Sequence, residues 1–238
     1  DRMDRAEDHL WWYRALHAQL ADAWRRCDRV DGPILDAGCG TGGLLRVLAG
    51  IEPERARFGL DRSAAAARRA ADKARAPVVV GDVGALPFGD GGFAAVFSAD
   101  VLYHREVDPP RALAEAFRCL RPGGVVLVNV PAFAWLASHH DRRVHGARRF
   151  DRPQLRAILV EAGFAPLAIR YWNSLLFPLM VAHRLRPRRG EPRSDVDPLP
   201  RWLDAAFGAI CGLERTLGRA GLRWPAGGSL LAVAVARK

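Results

Sequence analysis

The chain has 238 residues, half of them apolar, and a formal net charge of +10. Length and apolar content suffice for one good hydrophobic core, while the longest apolar stretch, Ser174 to Ala182 with Pro178 inside it, falls short of the ~20 residues that cross a bilayer. The positive charge invites an anionic partner, but lysine occurs only at Lys73 and Lys238 among abundant arginine and alanine, a pattern that base composition produces as readily as nucleic-acid binding does.

Residues 7–27 read as an amphipathic helix, with Trp12, Leu16, Leu20 and Trp24 at four-residue spacing. Ile34 and Leu35 then form a buried strand that ends at Asp36, and Gly38, Gly40 and Gly42 lead into a helix opening near Gly43. Glycine has no Cβ, so such a turn takes positive φ and lets a ligand approach the backbone. The helix N-terminus beyond it adds free N–H groups and partial positive charge. Together they make a cradle for the polar tail of a nucleoside-type cofactor. Gly38, Gly40 and Gly43 also satisfy Gly-x-Gly-x-x-Gly, with Asp61 about 20 residues further on, as in dinucleotide binding. Asp36 weighs against a dinucleotide, because its carboxylate would repel a pyrophosphate and would welcome an ammonium group.

Further strands follow: Arg57 to Asp61, Pro77 to Val80 before Gly81-Asp82, Phe93 to Ser98 before Asp100-Val101-Leu102-Tyr103-His104, and Val125 to Val130 after a turn at Leu120-Arg121-Pro122-Gly123-Gly124. Helices near 43–49, 63–75 and 109–120 alternate with them, the rhythm of a parallel sheet. Asp151-Arg152-Pro153-Gln154 starts a capped helix and Gly163 stops it, giving a helix over 152–162. Leu167 to Tyr171 and Ser229 to Val235 are the sixth and seventh strands. Two insertions interrupt this plan. One runs from Pro131 to Phe150. The other, Trp172 to Gly228, contains a Pro/Arg-rich loop from His183 to Pro200 and a helix carrying Trp202, Ala206, Ile210, Leu213 and Leu217.

The ordered segments Ile34 to Gly42, Arg57 to Asp61, Pro77 to Phe88, Phe93 to His104 and Leu120 to Val130 resemble, in order and spacing, the class I S-adenosylmethionine-dependent methyltransferases. The resemblance is dense over 34–130 and looser over 150–171. It implies an α/β fold: a doubly wound, Rossmann-like, seven-stranded, mostly parallel sheet with the last strand antiparallel, helices on both faces and helical or loop insertions. One domain is expected, with 1–32 a helical cap, 33–171 the cofactor-binding core, 172–228 the insertion and 229–238 the last strand. The resemblance also implies S-adenosyl-L-methionine as cofactor, S-adenosyl-L-homocysteine as product, and a cofactor site of Asp36, Gly38, Cys39, Gly40, Gly42, Asp61, Arg62, Asp82, Val83 and Ser98. Asp61 would hold the ribose hydroxyls and Asp82 the adenine amino group. Each acid has a plainer reading as well: Asp61 as a helix cap beside Ser63, Asp82 as a turn acid before Gly84.

Methyl transfer from a sulfonium needs placement of the nucleophile and exclusion of water, and a base only if the acceptor loses a proton. His104, His140 and His145 are the candidate bases. The opening Glu7 to Arg14, the loop Ser138-His139-His140-Asp141 ahead of Arg148-Arg149-Phe150, and the segment Tyr171 to Pro178 resemble one small-molecule subgroup of the family. In that setting Trp12, Tyr13, Tyr103, His139 and Arg149 are candidate acceptor contacts, although aromatic residues on an amphipathic helix also serve as plain core and a His/Arg-rich loop is often only solvated. His-His-Asp lacks a third metal ligand at a recognisable spacing. Cys27, Cys39, Cys119 and Cys211 lie far apart in sequence, as free thiols of a reducing compartment do. The expected setting is cytoplasmic, with no secretory signal read in the sequence. The expected partner is a small-molecule acceptor, with natural products among the candidate classes, and the helix after residue 202 makes a homodimer plausible. Nucleic acid is disfavoured: Ser98-Ala99-Asp100-Val101 replaces the Asn/Asp-Pro-Pro-aromatic run of amino-nucleobase enzymes, and no cysteine nucleophile stands there. The alternatives are an NAD-type oxidoreductase, a binding or regulatory protein on the same fold, and an enzyme that keeps the cofactor but does not methylate.

Overall fold

The computed structural model describes residues 10–28, 30–137, 148–185 and 199–238. Seven strands form one sheet: β1 (Ile34–Ala37), β2 (Arg57–Asp61), β3 (Val78–Val80), β4 (Phe93–Ala99), β5 (Leu120–Pro131), β6 (Phe164–Trp172) and β7 (Ser229–Ala236). Their order is β3-β2-β1-β4-β5-β7-β6. The first five pair in parallel, and β7 runs antiparallel between β5 and β6. The chain therefore reverses its direction of strand addition between β1 and β4, which is where an open α/β sheet leaves a crevice.

Seven helices surround the sheet among the described residues: α1 (Trp11–Arg25), α2 (Gly43–Ile51), α3 (Ala64–Ala74), α4 (Pro109–Cys119), α5 (Arg152–Glu161), α6 (Phe177–Leu185) and α7 (Arg201–Arg219). Period-2 alternation in the strands explains why both faces are covered. Val125 and Leu127 of β5, with Leu231 and Val233 of β7, pack against Leu16, Leu20 and Trp24 of α1 and Leu44 and Leu48 of α2. The intervening Val126, Val128, Leu230, Ala232 and Ala234 pack against Leu113 and Ala116 of α4 and Leu155 and Leu159 of α5. Burying one such leucine stabilises the fold by roughly 1.5–3 kcal/mol. The alanine-rich α3 approaches closely through Ala70 and Ala74, beside Leu45 and Cys39.

Sequence and structure differ at a few places, each with a physical cause. The segment from Leu120 to Gly124, expected as a turn, already belongs to β5: Leu120 pairs with Phe93, and a register shift before Ala95 absorbs Gly123 at φ +77°. The sixth strand is longer than the apolar run Leu167–Tyr171 because it pairs with β7 from Phe164 to Trp172. Helix α6 was hidden by Pro178, which falls in its first turn, where a missing N–H costs nothing. The expected loop from His183 thus begins inside a helix, and residues 186–198 lie outside the described residues. The capped helix start holds: Asp151 accepts from Gln154 N at 2.7 Å, and the Gln154 side chain accepts from Asp151 N at 3.1 Å.

Two anchors fix the insertion. Asp204 of α7 accepts the Trp11 backbone N–H at 2.8 Å and Arg14 Nη2 at 2.6 Å, and Asp22 of α1 accepts Arg219 Nε at 2.7 Å and Arg215 Nη1 at 3.2 Å. The buried Glu214 accepts the backbone N–H groups of Ser174 and Leu175 at 2.7 and 3.0 Å, satisfying donors just ahead of α6. Burial raises the Glu214 carboxyl against those bonds, and burial pushes the Cys211 thiol up to about 12. Among the described residues no helix is long and apolar enough to cross a membrane.

Candidate active site

The glycine turn sits at the carboxyl end of β1. Gly38, Gly40 and Gly42 all have positive φ, at +89°, +54° and +90°. A Cβ on Gly38 would lie 2.3 Å from Val101 Cγ2, and one on Gly42 2.8 Å from the backbone of Ala70. Both therefore require glycine on conformational and steric grounds. The N–H groups of Gly38 and Cys39 donate to Leu60 O at 2.7 and 2.9 Å, tying the turn to β2. Asp36, 1% exposed, stands at the strand tip below it, and Cys39 is buried in the turn.

Asp61 ends β2 with both carboxylate oxygens in use. One accepts Gly40 N–H at 2.9 Å, and the other accepts Ser63 N–H at 2.9 Å. The helix-cap role belongs to Ser63, whose hydroxyl accepts Ala66 N–H at 3.3 Å. Asp61 instead joins the glycine turn to the start of α3, and each oxygen keeps a further lone pair. Asp82 follows β3, exposed, and accepts Gly84 N–H at 2.7 Å, so its turn role is real. Val83 is half-buried beside it, and Ser98 is buried near the end of β4. Arg62 is exposed and ion-paired with Glu106, linking the tip of β2 to the loop after β4. Asp36, Asp61, Asp82 and Ser98 are thus brought to one edge of four adjacent parallel strands, with the turn between them.

The acceptor candidates lie over the neighbouring tips of β4 and β5. Trp12 of α1 stacks on Trp172, with ring centroids 4.9 Å apart and 18° between planes. Tyr103 and His104 stack on each other at 4.3 Å on the loop after β4. Tyr13 lies next along α1, its ring 6.3 Å from that of the buried His17. Arg149 Nη1 donates to Ala132 O at 3.1 Å, and Arg148 Nη1 to Val107 O at 2.8 Å. These bonds, with Phe133 N–H to Phe150 O at 3.0 Å, close the ends of the Pro131–Phe150 insertion. His139, His140 and His145, as well as Asp141, lie outside the described residues. Among the described residues no cluster of three or more His, Cys, Asp or Glu could hold a metal.

Asp100 and Asn129 at this edge were not singled out from sequence, whereas Trp172 lies in the Tyr171 to Pro178 segment noted there. Asp100, at φ +55° just past β4, accepts Asn129 Nδ2 at 2.7 Å, and Asn129 Oδ1 accepts the Trp172 indole N–H at 2.7 Å. Burial pushes the Asp100 carboxyl up to about 6, against the opposing pull of Asn129 and Arg149. The available signal was Asn129 itself, a lone amide inside the apolar run Val125–Val130.

Comparison with known proteins agrees with this geometry. Residues 35–128 match the family model described as a methyltransferase domain. Over these residues the chain is a class I S-adenosylmethionine-dependent methyltransferase domain. A Mycolicibacterium smegmatis protein named "Probable S-adenosylmethionine-dependent methyltransferase" is 31% identical over 164 residues, 67% of this chain and 61% of that protein. The 24-methylenesterol C-methyltransferase 2 of Oryza sativa subsp. japonica is 26% identical over 200 residues, 65% of this chain and 53% of its own length. The chain thus spans little more than half of each of these relatives. In fold, it resembles a chain from the complex between the Haloferax volcanii Trm112 methyltransferase activator and a methyltransferase, with a TM-score of 0.65 at 24% identity, covering 100% of this chain and 95% of that one. S-adenosylmethionine is the cofactor that belongs with this family. The residues fit it: a turn from which side chains are excluded, flanked by carboxylates that accept the hydroxyl, amino and ammonium donors such a molecule carries.

Proposed function

We propose that the chain moves a methyl group from S-adenosylmethionine to a small acceptor with an apolar body. The observation that carries this reading is the row Asp36, Asp61 and Asp82 at the ends of three neighbouring strands, around a turn that only glycine can form. In this reading Asp36 and the turn from Gly38 through Cys39 and Gly40 to Gly42 receive the amino-acid end, Asp61 and Arg62 the ribose, and Asp82 and Val83 the adenine, with Ser98 beneath. When bound, the cofactor supplies a methyl carbon on a positively charged sulfur, which becomes neutral on transfer. What the chain itself contributes is placement and dryness. The α1 helix brings Trp12 onto Trp172 at the strand tips, excluding water there.

An apolar acceptor is supported by the aromatic cluster next to this edge. Phe133 stacks on Tyr171 at 5.1 Å and lies 5.5 Å from Phe177, and Trp135 lies 6.2 Å from Phe177. The sterol in the rice relative's name is of the same apolar kind. Trp12, Tyr13, Tyr103, His139 and Arg149 are the proposed acceptor contacts, and His104, His140 and His145 remain candidate proton carriers. A cytoplasmic setting goes with this reading. A labelled-methyl assay against alcohols and amines with apolar bodies tests it: methylated product is the expected result. Binding of the cofactor without any methylated product would favour a non-methylating enzyme or a regulatory protein, and binding of reduced nicotinamide instead would favour the oxidoreductase.

A further inference from the structure

Four side chains from four parts of the chain meet at the tip of β4. Asn129 of β5 donates to Asp100 at 2.7 Å and accepts from the Trp172 indole at the end of β6 at 2.7 Å. Trp172 in turn stacks on Trp12 of α1. Asn129 is fully buried, and a polar group in that position is costly unless its bonds are made. Asp100 is only half-buried and holds a left-handed backbone conformation, which a non-glycine residue keeps where its surroundings over-determine it. The next residue, Val101, packs against Gly38 of the cofactor turn. A carboxylate is therefore held by Asn129 between the proposed cofactor turn and the aromatic acceptor wall.

Its surroundings suit proton exchange. Arg149, ahead of α5, is the charged group acting on it, and its carboxyl stands near 6 through burial. From the neighbouring strand β1 comes Asp36, one residue in register with Phe97, and from its own loop His104. The contacts from α1 and β5 are the uncharged Trp12 and Asn129. Asp61 and Asp82, by contrast, are tied by backbone N–H groups into the proposed cofactor site.

We propose that Asp100 takes the proton of the acceptor's reacting group, so that the acceptor is an alcohol or an amine on an apolar body and not a carboxylate. This rests on the methyl-transfer reading above. The O–H or N–H bond of the acceptor breaks, its electron pair stays on the heteroatom that receives the methyl group, and the proton bonds to a carboxylate oxygen of Asp100 before passing to water. The same carboxylate repels an anionic acceptor.

The test uses the full chain with S-adenosylhomocysteine bound, n-octylamine and n-octanoate as probes, and tryptophan fluorescence as readout. The protein should prefer octylamine over octanoate by at least about tenfold near neutral pH, the factor that about 1.4 kcal/mol of charge discrimination gives. Asp100→Asn should bring that ratio close to one, and should remove a fluorescence change centred near pH 6 that the unsubstituted protein shows through Trp12 and Trp172. Asp100→Glu, which keeps the charge, should retain the preference. An octylamine preference unchanged in Asp100→Asn, or a fluorescence transition that persists in it, would overturn the proposal. Calorimetry with S-adenosylhomocysteine separates the two levels: Asp100→Asn should bind it normally, whereas no binding by the unsubstituted chain would sink the methyl-transfer reading itself.

Discussion

Replacing Asp100 by Asn should make the stability of this protein less dependent on pH, in a direction opposite to the usual carboxylate. In the fold the Asp100 carboxyl stands at about 6, pushed up by burial from the ordinary 3.8. Between those values the folded state holds more protons than the unfolded chain, so stability falls as pH rises through this window and stays lower above it. The full interval corresponds to about 3 kcal/mol, of which about 2 kcal/mol separates pH ~4.5 from pH ~8. Asn cannot ionise and tolerates the left-handed backbone at this position. It can still accept from Asn129, although one donor around the old carboxylate loses its partner, at about 1 kcal/mol independent of pH. The decisive quantity is therefore the change with pH of the difference between the two proteins. Urea unfolding of both at the two pH values should show Asp100→Asn gaining about 2 kcal/mol relative to the unsubstituted protein on going to the higher pH. A difference that is flat with pH, or that moves the other way, would refute the argument that Asp100 is held against its charged form. A destabilised charge at the tip of a strand is what a site trading stability for chemistry looks like.

Other substitutions probe the remaining contacts. Gly38→Ala should cost at least about 2 kcal/mol, since it combines backbone strain at φ +89° with a Cβ 2.3 Å from Val101, and should weaken cofactor binding in calorimetry. Asp22→Ala should cost about 1–3 kcal/mol and expose the α1–α7 contact to proteolysis, because Arg215 and Arg219 lose their buried partner. Unaltered protection in that variant would show the tether to be idle. Glu214→Ala leaves the Ser174 and Leu175 N–H groups without their acceptor and should speed amide exchange there by more than tenfold, while a rate unchanged from the unsubstituted protein would contradict the anchor. His104→Ala should leave the pH-dependent tryptophan signal in place, as the ring stacks on Tyr103 and the signal is assigned to Asp100.

What the sequence revealed and what it hid follow from the range of the forces involved. The strands β1, β4, β5 and β7 are short apolar runs ended by turn residues, and the alternation of Val125 to Val128 already encodes two covered faces. The glycine turn was legible because positive φ and close approach restrict the residue type at three positions within five. Asp61 and Asp82 could be placed because each directly ends or follows a strand. Long-range pairing was not legible. Nothing local in Asp100 says that Asn129 and Trp172 meet it, since the partners lie 29 and 43 residues apart in successive bonds. Glu214 looked like one more acid on an amphipathic helix until its carboxylate was found beneath the start of α6, 39 and 40 residues away in sequence. Helix α6 was read only as an apolar stretch containing Pro178, whose place in the first turn makes it compatible with a helix.

The most direct measurement is isothermal calorimetry of S-adenosylhomocysteine against the folded chain and its Asp61→Ala variant. One ligand per chain should bind to the former, and affinity should fall at least about tenfold in the latter, as expected when the loss of charged-acceptor hydrogen bonds costs about 1.5–3 kcal/mol. Equal affinity in the two proteins would show that the β2 carboxylate does not hold this ligand, and no heat in either would contradict the cofactor assignment altogether.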